Sequence, residues 1–164
     1  EIYTLSLHDA LPISNNADRV VDLTENLHTV KSAASSMTVQ WDGGTNCEDG
    51  LYEARMELTT SGRQRWTAAK VILFMSDGQA NKCRSSWSCS EAQAKQRAIA
   101  EAQLAGSLGI QVYTIGLGAD ADSATLQQMA AVGGGEYVYA ATGADLGPAF
   151  TTLFQKIKRL SLAQ

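Results

Sequence analysis

The sequence has few of the residues on which several classes of protein depend. Two histidines among 164 residues leave little room for imidazole catalysis or a histidine-rich zinc site. No apolar run approaches the roughly 18 residues of a membrane-spanning helix. Only 13 lysines and arginines stand against 17 acids, so the basic patch of a nucleic-acid-binding protein is not expected. The motifs G-x-x-x-x-G-K-[ST] and G-x-S-x-G are also absent, and no catalytic residue is predicted.

The three cysteines carry the first positive signal. Cys83 and Cys89 lie six residues apart in a polar stretch, too far for a C-x-x-C redox or zinc motif. This spacing favours a local disulfide that closes a surface loop, and two unpaired thiols are the alternative. A disulfide would indicate an oxidising compartment. Cys47 lies at the start of a predicted helix, and three interpretations of it remain open: a thiol of lowered pKa, an unremarkable thiol, and a cysteine whose disulfide partner was truncated.

Two segments, one typical of a strand and one typical of a helix, indicate a folded α/β domain. The run Val71–Met75 is entirely apolar, which is typical of a strand buried on both faces of a parallel sheet. Ser90 to Leu108 has no proline and is rich in alanine, which predicts a long helix. Its small side chains at Ala98, Ala102 and Ala105 would allow close packing on that sheet.

The remaining elements alternate between strands and helices. Helices are predicted from Leu27 to Met37 with Thr24 as the cap, from Leu51 to Leu58, around Leu126 and Met129, and from Leu146 to Leu160. Strands are predicted at Ile110–Ile115 and Tyr137–Tyr139, with a turn at Gly133–Gly135. Such alternation predicts a doubly wound, mostly parallel sheet flanked by helices.

A candidate site lies at the end of the most hydrophobic strand. Asp77 follows that strand directly, and open α/β sheets bind ligands beyond the carboxyl ends of their strands. A metal ligand or an acid is one interpretation of Asp77, and a turn-forming residue in Ser-Asp-Gly is the other. Gly116–Ala121 also fits the pattern G-x-G-x-x-A, so a nucleotide-binding enzyme is a further alternative.

Three segments together resemble the von Willebrand factor A domain. Gly43–Asn46 precedes a predicted helix, Leu73–Gly78 ends a strand, and Ile115–Gly118 ends the next strand. Each motif is short, but they occur in the order that the family has. The resemblance extends from about Val20 to Leu160.

The resemblance implies a Rossmann-like domain with a metal-ion-dependent adhesion site (MIDAS) at one edge of the sheet. In the family, an Asp-x-Ser-x-Ser loop, a threonine and an aspartate bind Mg²⁺ or Mn²⁺, and Thr45 and Asp77 match the last two. One coordination position stays open for an acidic residue of a partner. The sequence contains no Asp-x-Ser-x-Ser. We therefore expect the intact parent to bind the ion, and this chain to bind it weakly or not at all.

Residues 1–14 resemble no part of that family. They match a reading frame through a common short-read sequencing adapter, so we expect an artefactual segment here, with a genuine terminal strand at Ile2–Leu7 as the alternative. The domain would then be a partial one spanning residues 15–164, without the family's first strand and first helix.

The function that the resemblance implies is adhesion rather than catalysis. We expect a metal-dependent protein-binding module of a bacterial cell-envelope, pilus-associated or secreted protein. Its partner would be a protein or surface that presents an acidic residue, and neither nucleic acid nor a membrane span is expected. The alternative is an intracellular coupling module of a metal-chelatase-like, ATP-driven complex.

Overall fold

The computed structural model describes most of the chain, and its elements follow the predicted alternation. The described residues are 8–10, 15–36, 44–60, 62, 68–85 and 88–161. The strands are β1 (His8–Ala10), β2 (Val21–Thr24), β3 (Lys70–Ser76), β4 (Ile110–Leu117) and β5 (Gly134–Ala140). The helices are α1 (Leu27–Ser36), α2 (Cys47–Thr60), α3 (Glu91–Ser107), α4 (Ser123–Val132) and α5 (Leu146–Ser161).

Three strands form the central parallel sheet. Its order is β3-β4-β5, with Leu73 opposite Tyr113 and Ile115 opposite Val138. Strands β1 and β2 form a separate antiparallel pair. Strand β1 lies within the segment expected to be an artefact, and the proposed domain boundary at residue 14 stays a prediction.

Helices α2, α3 and α4 cover one face of this sheet. Ile72 and Phe74 of β3 lie in this core, together with Ile110 and Val112 of β4. Helix α3 contributes small side chains, and its fully buried residues are Ala94, Ala98, Ala102 and Ala105. The predicted close packing of the alanine-rich helix is confirmed, because all four alanine side chains are buried in the core that the helix shares with the sheet.

Helix α5 covers the opposite face. Leu153 is fully buried there against a core that includes Tyr113 and Ile115 of β4. Leu146 and Ile157 of the same predicted helix are partly buried against this core. The side chain of Leu160 lies outside the described residues. Helices on both faces confirm the Rossmann-like class. None of the helices in the described ranges is long and apolar enough to cross a membrane.

Two local predictions are wrong, and both have a physical reason. Helix α1 is capped by Asn26, whose side-chain oxygen accepts from the backbone N–H of His28, while Thr24 instead accepts from Asn26 itself. The glycines predicted to form a turn mostly belong to β5, which begins at Gly134. Gly135 is needed there because the backbone of β4 approaches it too closely for a side chain.

Candidate functional site at the carboxyl edge of the sheet

Asp77 lies where ligands usually bind in an open α/β sheet. Strand β3 ends at Ser76, and the exposed Asp77 begins the turn that follows. The hydroxyl of Ser76 accepts from the N–H of Gly78 at 3.3 Å, which closes the turn locally. The carbonyl of Gly78 accepts from the N–H of Asp122 at 3.4 Å, so the turn is also tied to the start of α4.

Thr45 comes from a different loop and reaches the same place. Its hydroxyl oxygen lies 3.7 Å from where a Cβ on Gly78 would stand, beside Asp77 in the chain. Its N–H donates to the side-chain oxygen of Asn81 at 2.8 Å. Its carbonyl accepts from the N–H groups of Asn81 and Lys82 at 3.1 and 3.3 Å. The two residues singled out in the sequence are therefore brought to one edge of the molecule.

Asn46, the residue after Thr45, fixes the start of α2. Asn46 is buried, and its side-chain oxygen accepts from the N–H of Asp49 at 3.1 Å, as a helix cap does. Its side-chain nitrogen donates to the carbonyl of Asn15 at 2.9 Å. The sequence prediction treated Asn46 as a turn former and missed this role. An asparagine three residues before Asp49 at a helix start is the signal that could have revealed it.

A disulfide links Cys83 and Cys89, as the spacing predicted. Arg84 next to it is anchored on α2, because its N–H donates to Glu48 at 2.9 Å and its guanidinium lies 2.9 Å from Asp49. The guanidinium also stacks over the ring of Tyr52, 3.4 Å from the ring centre. This cluster joins the disulfide loop to α2, and nothing in the sequence alone indicated it.

The environment of Cys47 favours the neutral thiol over the thiolate. Its side chain is buried at the start of α2. Burial, together with the negative charge of Asp122, raises the pKa of the Cys47 thiol to about 12. The alternative of a lowered thiol pKa is therefore wrong, because the desolvation of the thiolate outweighs any favourable effect of the helix start.

A cavity of about 340 Å³ opens beside Asp77 at the ends of the three parallel strands. Its lining consists of Asp77, Leu117, Gly118, Ala119, Asp120, Ala141, Thr142 and Gly143. Both charged groups in this lining are carboxylates, so the cavity has negative potential at neutral pH and attracts cations. Gly116, the first glycine of the nucleotide-like pattern, is explained by packing, because a Cβ there would meet the hydroxyl of Tyr137 at 2.7 Å.

Asp122 follows Asp120 of the cavity lining by two residues and fixes the start of α4. Its carboxylate caps α4 through the N–H of Thr125 at 3.1 Å and lies 2.9 Å from the ammonium of Lys95. Burial would raise the pKa of Asp122, but the bonds from Lys95 and Thr125 outweigh it and hold the pKa below its usual value. Asp122 therefore stays ionised, and its bonds to Lys95 and Thr125 give it a structural role.

Thr45 and Asp77 offer the type of oxygen ligand that a hard cation prefers, but they are too few to bind it alone. Hydroxyl and carboxylate oxygens are what Mg²⁺ and Mn²⁺ prefer. Across the described part of the chain, however, no group of three or more histidine, cysteine or acidic side chains could hold a metal ion. Thr45 and Asp77 together would supply two of the roughly six ligands that Mg²⁺ takes, so waters or other residues must supply the rest.

The fold and the position of these residues define the class of the protein. A parallel sheet with helices on both faces is a Rossmann-like domain, and such domains usually bind ligands at the carboxyl edge of the sheet. Within that class, the chain belongs to the von Willebrand factor type A domain family, whose sequence model matches residues 10–155. A comparison with curated proteins found no match.

Solved structures support the same fold. Proximal thread matrix protein 1 from the mussel byssus, with a zinc-occupied MIDAS motif, aligns at 17% identity and a TM-score of 0.71 over 90% of this chain and 35% of its own length. BatB from Bacteroides thetaiotaomicron aligns at 16% identity with a TM-score of 0.71, over 92% of this chain and 78% of its own length. The von Willebrand factor domain of the type V pili tip protein Mfa5 from Porphyromonas gingivalis aligns at 17% identity with a TM-score of 0.72, over 92% of this chain and 79% of its own length. The chain thus spans about a third of the mussel protein.

Proposed function

We propose that this chain is the protein-binding module of a cell-envelope, pilus-associated or secreted protein, and that it binds through a divalent cation at Thr45 and Asp77. One observation carries the proposal: two separate loops bring a hydroxyl and a carboxylate to the carboxyl edge of the sheet. Membership of the von Willebrand factor type A family supports it, since these domains are typically interaction modules rather than enzymes.

The charge of the cavity suggests why a cation would be needed. Asp77 and Asp120 repel an acidic group that approaches without a metal. A cation held by Asp77 and Thr45 reverses the sign of the local potential and can accept a carboxylate oxygen from a partner. The proposed partner is therefore a protein or surface that presents an acidic residue. The ion would be Mg²⁺ or Mn²⁺, and zinc is reported in the MIDAS motif of the mussel protein.

The disulfide supports the proposed location outside the cytoplasm. Stable disulfides form in oxidising compartments, which include the periplasm and the cell surface. A pilus tip protein and a byssus protein share the fold. The alternative, an intracellular coupling module, would be favoured by reduced Cys83 and Cys89 in protein isolated from its source.

A titration with Mn²⁺, followed by NMR, tests this proposal. Paramagnetic broadening should begin at the amides of Thr45 and Gly78 and should not saturate at micromolar ion, because only two protein ligands are available. The variant Asp77→Asn should lose this localised broadening. The matched variant Asp120→Asn removes a charge from the same cavity and should keep it. Broadening that is insensitive to Asp77→Asn would contradict the site, and micromolar saturation would contradict the two-ligand set.

A further inference from the structure

The segment 79–85, which we call the clamp loop, contacts the loop that carries Thr45 through several independent groups. Asn81 contacts both sides of Thr45: its side-chain oxygen accepts from the Thr45 N–H, and its own N–H donates to the Thr45 carbonyl. The N–H of Lys82 donates to the same carbonyl. Three hydrogen bonds therefore fix the backbone of one residue, and all three come from two neighbouring residues of the clamp loop.

The clamp loop is itself anchored at its far end. Cys83 is buried in the core between the sheet and helices α2 to α4. Arg84 is held by Glu48 and Asp49 on α2, as described above. The disulfide then joins Cys83 to Cys89, which directly precedes the capping residue Ser90 of α3. The clamp loop thus begins near Asp77, passes Thr45 and ends in a covalent link to the start of α3.

From these contacts, we propose that Asn81 is a positioning residue that holds Thr45 beside Asp77, and that the Cys83–Cys89 disulfide keeps it in place. The proposal rests on the proposed function, because the alignment matters only if Thr45 and Asp77 act together. It adds a redox dependence to that site. In the oxidised protein, the clamp loop stays in contact with the loop that carries Thr45. In the reduced protein, the clamp loop can move away from Thr45.

The reducing step is ordinary thiol–disulfide exchange with a dithiol such as dithiothreitol. The first dithiol sulfur attacks one protein sulfur and breaks the Cys83–Cys89 bond, and the second sulfur then displaces the protein thiol. Two electrons and two protons pass from the dithiol to the protein. The products are two cysteine thiols and one cyclic disulfide of the reductant.

Hydrogen exchange of the Thr45 amide, measured by NMR without any metal, tests the role of Asn81. Asn81→Ala removes the acceptor of this amide, so its exchange should accelerate about fivefold, the equivalent of one ordinary hydrogen bond. Asn81→Asp keeps an acceptor oxygen and should restore slow exchange. Gln79→Ala is the matched control, because Gln79 lies in the same loop but contacts Lys95 instead. Unchanged exchange in Asn81→Ala, or no rescue by aspartate, would overturn the role of Asn81.

The same amide reports the effect of the disulfide. Dithiothreitol should accelerate exchange at Thr45 in the parent protein, and the double variant Cys83→Ser/Cys89→Ser should show the fast rate with or without it. Exchange in β4, for example at Ile115, should stay slow throughout. Unchanged exchange at Thr45 after both thiols have formed would overturn the redox dependence, and so would a general acceleration that includes β4. Because no metal is present, failure here is distinguishable from failure of the Mn²⁺ titration.

Discussion

Replacing Gly135 by alanine is expected to lower the free energy of unfolding by about 3 kcal/mol or more. A Cβ at this position would lie 2.2 Å from the carbonyl oxygen of Val112 and 2.7 Å from its carbonyl carbon. Those atoms belong to the backbone of β4, so no side-chain rotation can relieve the overlap. The pairing of β4 with β5 must open instead, close to the irregularity in their register between Val112 and Thr114.

Urea denaturation measures this loss, and the chain offers a matched control. Gly147 lies in the first turn of α5, and a Cβ there would meet nothing within 4 Å. Gly147→Ala should therefore be neutral or stabilise the protein by up to about 1 kcal/mol. Equal urea midpoints for Gly135→Ala and Gly147→Ala would contradict the close approach of the β4 backbone to Gly135.

Replacing Glu57 by alanine is the second change with a large expected effect, again about 3 kcal/mol. Glu57 lies on α2 and is fully buried. Its carboxylate accepts from the backbone N–H of Leu23 at 3.0 Å and pairs with the guanidinium of Arg19. Its removal leaves a buried N–H and a partly buried cation without this acceptor, and it detaches β2 from α2.

Two further variants separate the charge from the packing. Glu57→Gln keeps the shape and an oxygen acceptor, so its loss should be smaller, about 1–2 kcal/mol. Glu53→Ala removes the same kind of side chain one turn earlier on α2, from a position that is not fully buried, and should change stability by less than about 0.5 kcal/mol. Equal losses for Glu57→Ala and Glu53→Ala in urea denaturation would show that Glu57 does not anchor β2.

Much of the fold could be predicted because its signals are local. The apolar run of β3 and the alanine-rich stretch of α3 each indicate their own structure, and the spacing of Cys83 and Cys89 predicts a bridge. The role of Glu57 could not be predicted in this way. Its partner Leu23 lies 34 residues earlier in the chain, and a glutamate on a helix is usually exposed.

The candidate site divides in the same manner. Thr45 and Asp77 could be singled out because each stands in a short motif of the family. Asn81 carries no motif, and its contacts with Thr45 cross 36 residues of chain. The stacking of Arg84 on Tyr52 likewise depends on how the disulfide loop meets α2, which only tertiary structure shows.

Binding of a soluble glutamate polymer to beads that carry this protein at high density shows whether Thr45 and Asp77 form a cation-dependent site. Many weak sites acting on one polymer give measurable retention. We expect retention of the polymer in Mg²⁺, its release by a chelator, loss of retention in Asp77→Asn and unchanged retention in Asp120→Asn. Retention that Asp77→Asn leaves unchanged, or that K⁺ at equal ionic strength supports as well, would contradict a cation-dependent site at Thr45 and Asp77.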